Sequence, residues 1–233
     1  METIETLALT LGAGWAAGIN LYAAVLVLGY LGMTGHVTLP PGLEVLSDPL
    51  VMTIAGIMYF IEFFADKTPG VDSGWDALHT FVRIPAGALL AAGAASGFEV
   101  NQAAELAAAL VGGTMAAGSH FTKAGTRLMI NTSPEPVTNW TASIAEDLAV
   151  IAGLWAALNH PVAFMLLLAV FIALVIWLLP KIWRALKSLF RRIGALFAKE
   201  PPPPDSPVGN QSDHPDVLKS LFHTASNDQG TEK

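Results

Sequence analysis

Long apolar runs, broken at regular intervals by turn residues, dominate the first three quarters of the chain. A bilayer core is crossed by about 20 apolar residues in helical form, and six stretches approach that pattern. The first, Leu7 to Met33, carries no charge at all. The second runs from Pro49 to Ala65 with Glu62 near its end. The third runs from Trp75 to Gly97 with His79 and Arg83 near its start. The fourth runs from Ala103 to Ile130, with His120, Lys123 and Arg127 near its end. The fifth runs from Trp140 to Leu158, with Glu146 and Asp147 near its start. The sixth, Val162 to Leu179, is apolar throughout. Between them stand Pro40-Pro41-Gly42, Asp48-Pro49, Thr68-Pro69-Gly70, Asn131 through Pro136, and His160-Pro161, all turn chemistry. The pattern predicts an all-α, polytopic membrane helix bundle with about six transmembrane helices. A soluble α-bundle could bury the second and fourth stretches, but not a sixth this uniformly apolar.

The apolar faces are rich in small residues: Gly12, Gly14 and Gly18 in the first run, Gly87 and Gly93 in the third, Gly112, Gly113 and Gly118 in the fourth. Inside lipid, helices associate through close packing rather than water expulsion, and small residues permit it. The acidic Glu2 and Glu5 precede the first run where a signal peptide carries positive charge. That run therefore reads as a retained segment.

Composition agrees with the pattern. Hydrophobic residues make up 53% of the 233 and charged residues only 13%, against about 25% in soluble domains. This excludes a nucleic-acid binder and argues against an ordinary cytosolic enzyme. There is no cysteine, hence no disulfide or thiolate metal site. No cofactor motif is present, and the bilayer is the one partner that composition names. Gly-rich runs could also bury against a second copy.

The net charge of −7 hides an uneven distribution: no Lys or Arg precedes Lys67, and six of twelve lie between Lys181 and Lys199. Basic residues concentrate in cytoplasmic loops. With six crossings, the tips at 66–74 and 131–139 fall in the cytoplasm, and so do both termini. The expected location is the bacterial inner membrane. Domain organisation follows: a transmembrane domain over 1–180, a basic amphipathic membrane-surface helix over 181–199, and an acidic disordered tail over 200–233, with a short helix possible near Val217 to His223.

The two inner tips align when the chain is shifted by 67 residues. Pro69 falls on Pro136, Asp72 on Asn139, Asp76 on Ser143, His79 on Glu146 and Thr80 on Asp147. Asp72 and Asn139 suit N-caps, so the third and fifth helices start in similar ways. Two related hairpins pointing the same way would have their axis along the membrane normal, as in parallel-repeat transporters.

The hairpins carry the candidate chemistry. Glu62 and Asp66 are one turn apart, followed by Lys67. Asp72, Asp76, His79 and Arg83 step along one face of the third helix. His120, Lys123 and Arg127 follow on the fourth, Asn131 and Glu135 in the turn, then Asn139, Glu146 and Asp147 on the fifth. A charge at mid-bilayer costs about 2.5–3.5 kcal/mol on insertion scales, so these groups must face each other or a wet cavity. Expected pairs are Asp76 or Glu146 with Lys123, and Asp147 with Arg127 or Arg83.

Three readings fit. The charges pair only to lock the helices. Alternatively they line a cytoplasm-facing polar vestibule that binds or conducts an ion or small polar solute. Or they form an intramembrane enzyme with His79 or His120 as base, a reading that no nucleophile motif supports. Asp76 and His79 at i, i+3 have the spacing of a metal-ligand pair, a spacing common by chance, so the metal question stays open.

The run Glu62-Phe63-Phe64-Ala65-Asp66-Lys67-Thr68-Pro69, with Asp72, Trp75-Asp76, His79-Thr80 and Arg83, resembles the membrane family called domain of unknown function 4126. So does Lys123, Arg127, Asn131, Ser133-Pro134-Glu135-Pro136, Asn139, Ser143 and Glu146-Asp147. The resemblance covers about residues 10–160, with the last span and tail outside it. It implies a bacterial-type integral membrane protein and a shared polar site, and it supplies no substrate.

Overall fold

The computed structural model describes residues 3–68, 70–97, 101–132 and 136–197. The chain divides into one unit over Met1–Ser188 and a second over Leu189–Lys233. In the second, only residues 189–197 are described, and they are helical. Residues 200–233, including the possible helix near Val217, lie outside the described residues.

Among the described residues there are helices and no strands. They are α1 (Thr3–Met33), a short 3-10 helix (Pro41–Ser47), α2 (Pro49–Ala65), α3 (Val71–Ala95), α4 (Gln102–Ile130), α5 (Pro136–Asn159) and α6 (Pro161–Phe197). The apolar runs place these helices well, because prolines and capping residues start them. Asp48 caps α2 by accepting from the Leu50 and Val51 amides, and Asn101 caps α4 by accepting from the Ala104 amide. Among the described residues four helices, α1, α3, α5 and α6, are long and apolar enough to cross a membrane. The bent pair of Pro41–Ser47 and α2, at 68°, makes a fifth if counted as one.

Two local expectations change. Gly70, not Asp72, caps α3, with φ +85° that a side chain would resist. Asp72 sits inside the first turn and accepts from the Gly70 and Ser73 amides. Asn139 likewise lies within α5, which begins at Pro136. α6 runs on through Pro180 to Phe197, although Trp183, Arg184, Lys187 and Arg191 are exposed.

The largest departure is α1. Asn20, buried in its middle, has φ −147° and ψ 99°, so the helix breaks there. Gly87 of α3 lies against Gly14 and Ala17, in the arm before the break. The same level of α3, at Ala86, Leu89 and Leu90, shares a pocket wall with Leu21, Tyr22 and Val25, in the arm after it. One stretch of α3 thus faces both arms. Near its start, α1 meets Ala157 and Phe164 at Gly12. Near its finish it meets Leu46 and Met52 at Gly29. Both places are remote from the tips at Asp66 and Asn131. Helix α1 therefore enters the bundle from the far end, reaches the level of Lys123 and Asp147 at Ile19 and Asn20, and returns. It is a helical hairpin about Asn20.

The hairpin is the core. It packs on α3, α4 and α5, and Ala8, Leu9, Ala13, Ala16, Ala17, Ala24 and Leu28 are fully sealed. Small residues permit this closeness. A methyl group on Gly18 would run into the Ala116 backbone and the Ser119 side chain; one on Gly14 would meet Gly112. The outer helices turn large apolar side chains outward: Phe81 and Leu89 on α3, Leu106 and Leu110 on α4, Leu148 and Trp155 on α5, Leu166 and Ile176 on α6. α6 packs through bulky groups, with Phe164 and Phe171 edge-on to Trp15 and Ile182 against Gly125.

Candidate functional site

Each hairpin element sends charged side chains to one place. Lys123 of α4 is the hub. Its ammonium lies 2.7 Å from Asp66 Oδ2, 3.4 Å from Glu62 Oε1, 3.5 Å from Glu146 Oε2 and 3.9 Å from Asp76 Oδ1. Arg83 of α3 bridges Glu62 at 2.6 Å and Asp76 at 2.9 Å. Arg127 grips Glu146 with two nitrogens, Nε to Oε1 at 3.2 Å and Nη2 to Oε2 at 2.6 Å. Its Nη1 donates to the backbone carbonyls of Asp66 at 2.8 Å and Asn139 at 3.3 Å, which ties the two tips to each other. Seven charges from α2, α3, α4 and α5 thus form one network. Six of their side chains are at most 3% exposed, and Glu146, at 19%, is the member that reaches the surface. The charges of the centre chiefly face one another.

Around it lies a ring of uncharged partners. His120 joins Thr80 Oγ1 through Nε2 at 2.8 Å and Arg83 Nη1 through Nδ1 at 3.2 Å. A guanidinium can only donate, so Nδ1 accepts and the ring is neutral. His79 donates from Nδ1 to the Trp75 carbonyl at 3.0 Å, stacks on the Trp75 ring, and meets the Tyr22 hydroxyl at 3.0 Å. Among the described residues neither imidazole is hydrogen-bonded to a carboxylate, and no group of three or more His, Asp or Glu is arranged to hold a metal ion. Asp76 pairs with Arg83, whereas His79 bonds Trp75 and Tyr22.

At the tips, Asn131 donates to both oxygens of Asp72, at 2.8 and 3.0 Å, and accepts from Asn139 Nδ2 at 2.9 Å. Lys67 donates to the Phe63 carbonyl and to Ser143 Oγ, both at 3.1 Å, with its ammonium over the Phe63 ring. Burial holds that ammonium below the ordinary lysine pKa, against the pull of Asp147 and Asp66. Asp147 pairs with neither arginine. It accepts from Asn20 Nδ2 at 2.9 Å and from the Tyr59 hydroxyl at 3.0 Å, because its position on α5 faces α1 and α2. Glu135 lies outside the described residues.

The α1 break supplies what the charge pattern did not reveal. Asn20 acts as the N-cap of the returning arm, its Oδ1 accepting from the Ala23 amide at 3.0 Å. That amide would otherwise bond the Ile19 carbonyl, which instead receives Lys123 at 3.2 Å. The carbonyl end of the first arm thus meets a cation, and the amide end of the second is joined to a carboxylate. Both arrangements suit the helix dipole. A lone Asn in an uncharged run was the available signal, together with the two tyrosines, Tyr22 and Tyr59. Beside the break, a cavity of about 250 Å³ is lined by Ile19, Ser119, Thr122, Lys123, Thr126 and Glu146, with Phe171 of α6 on its wall.

A lipid-facing helix bundle enclosing a buried charge network around a broken helix defines the class: an integral, multi-pass membrane protein. The chain matches, over residues 7–181, the family described as Domain of unknown function (DUF4126), and it belongs to that family. The match extends past residue 160, so α6 up to residue 181 is part of the family pattern and not an individual extension. Neither a curated protein nor a solved structure matches the chain.

Proposed function

We propose that the charge network is a binding site through which an ion or small polar solute is taken up and released in a bacterial inner membrane. The observation that carries this is the broken helix α1, whose tip at Ile19 and Asn20 meets Lys123 and Asp147. Discontinuous helices whose half-ends face polar groups deep in the bundle are a recurring way to build solute sites in membranes. The cavity beside Lys123 and Glu146 supports access. The 67-residue echo supports two hairpins of related origin. Both tips lie at one end, yet the paired positions take different partners, as with His79 at Tyr22 and Glu146 at Arg127.

The topology that goes with this reading has five crossings, α2 to α6, and a re-entrant α1; α4, less apolar than the others, is 29 residues long and crosses with its Lys123 and Arg127 paired inside the bundle. Ile182 packs at Gly125, near the charge network, so the basic start of the Lys181 stretch shares the end of the tips. The positive-inside rule puts that end in the cytoplasm. The α1 arms then open to the other side, so the amino terminus is expected outside rather than in the cytoplasm as six crossings require. The lack of Lys and Arg before Lys67 fits that placement. An amino-terminal alkaline phosphatase fusion should be active and an amino-terminal green fluorescent protein dark; the reverse would restore a six-crossing arrangement.

A second reading has its own observation: each of the seven charges has at least one ion-pair partner and six of the seven side chains are buried, as in a lock between helices. Full-length protein in liposomes separates the two. Transport predicts flux of a small ion or polar solute above empty vesicles, reduced by Glu146→Gln. Flux equal to empty vesicles across cations, anions and small polar solutes would leave the lock.

A further inference from the structure

The charges of the centre do not balance. Among the described residues, four carboxylates, Glu62, Asp66, Asp76 and Glu146, face three cations, Arg83, Lys123 and Arg127. Four against three leaves one negative charge uncompensated in a site of which Glu146 alone, among these seven, reaches the surface. The neighbours on each packed element do not supply the missing charge. From α1 come Asn20 and Tyr22, both neutral. From the α2 side come Tyr59 and Lys67, and Lys67 is offset by Asp147 of α5. From α4 comes His120, whose acceptor bond from Arg83 requires the neutral ring. From α3 comes His79, which bonds Trp75 and Tyr22 and no carboxylate.

The second observation is atomic. Glu62 Oε2, Asp66 Oδ1 and Asp76 Oδ2 are buried and make no hydrogen bond, while the other oxygen of each carboxylate holds Arg83 or Lys123. These three residues are 0%, 2% and 0% exposed. Buried carboxylate oxygens without a donor are rare. Protonation at one of them cancels the surplus charge and leaves every ion pair of the sibling oxygen in place. A neutral carboxyl is the usual outcome for an uncompensated acid in a dry interior.

We propose that the Glu62–Asp66–Asp76 group holds one exchangeable proton at neutral pH. This rests on the reading of the centre as an ion site and names that ion. Loading adds a proton from water to a carboxylate oxygen, forming a carboxyl. Release returns it to water past Glu146, the network member that reaches the surface.

Infrared spectra of the full-length protein in nanodiscs, in sodium-free buffer at neutral pH, test this. Exposed acids are ionised there, so a neutral-carboxyl stretch that shifts down in D₂O reports a buried one. The expected result is such a band in the wild type, lost in at least one of Glu62→Gln, Asp66→Asn and Asp76→Asn and kept in Glu105→Gln, an exposed acid outside the network. No band in the wild type overturns the proposal whether or not the variants fold. So does a band unchanged in all three. If the band is absent and added sodium raises the melting temperature saturably, the compensating ion is sodium and the proton is excluded. A band without flux in liposomes sinks transport and keeps the proton site; flux without a band does the opposite.

Discussion

Replacing Arg83 by alanine should destabilise the protein by about 3–5 kcal/mol, the cost of leaving a buried partner charge uncompensated. Arg83 is fully buried and is the direct partner of two carboxylates, Glu62 at 2.6 Å and Asp76 at 2.9 Å. Removing it leaves Lys123 as the nearest cation to both, at 3.4 and 3.9 Å, already committed to Asp66. The deletion also frees His120 Nδ1. Thermal melting in mild detergent should show a large loss, or the variant should fail to accumulate. Adding Glu62→Gln to Arg83→Ala should recover part of the loss, because one stranded charge goes with it. An Arg83→Ala variant within about 1 kcal/mol of wild type, the value of a surface pair, would mean that water reaches this network.

The sequence made the elements of this bundle legible because their boundaries are local. Pro49, Asn101, Pro136 and Pro161 start helices by fixing φ or accepting amide bonds, and these signals need no knowledge of neighbours. The stripes at spacing three and four also survived, since Asp76, His79 and Arg83 share a face on any helix. Partner choice was not local. It depends on the rotation of each helix and on which helices are adjacent, and packing at Gly14, Gly18, Gly87 and Gly112 sets both. Hence Asp147 was expected to seek an arginine and instead found Asn20 and Tyr59. Hence also the charges chiefly face one another, with the cavity beside Lys123 and Glu146 at their edge. The reversal in α1 was hidden for another reason. Hydropathy counts apolar residues without regard to direction, so two short arms and one long span look alike.

That ambiguity gives Asn20 its diagnostic value, and its replacement should have the second large effect. In the hairpin, Asn20 caps the returning arm and donates to Asp147. Asn20→Ala loses a cap, about 1 kcal/mol, and strips a donor from a buried carboxylate, about 1–3 kcal/mol. The expected loss is therefore about 2–4 kcal/mol, from the sum of these two terms. Ser should recover the cap alone and rank between Asn and Ala. Asp, an excellent cap at an exposed helix start, should fail here, because its carboxylate would face that of Asp147 in low dielectric. If α1 were one continuous span, the order would invert: Ala is a better interior helix former than Asn, and Asn20→Ala would raise the melting temperature. Melting of the four proteins in the same detergent thus decides between a hairpin and a crossing from a single position in the chain.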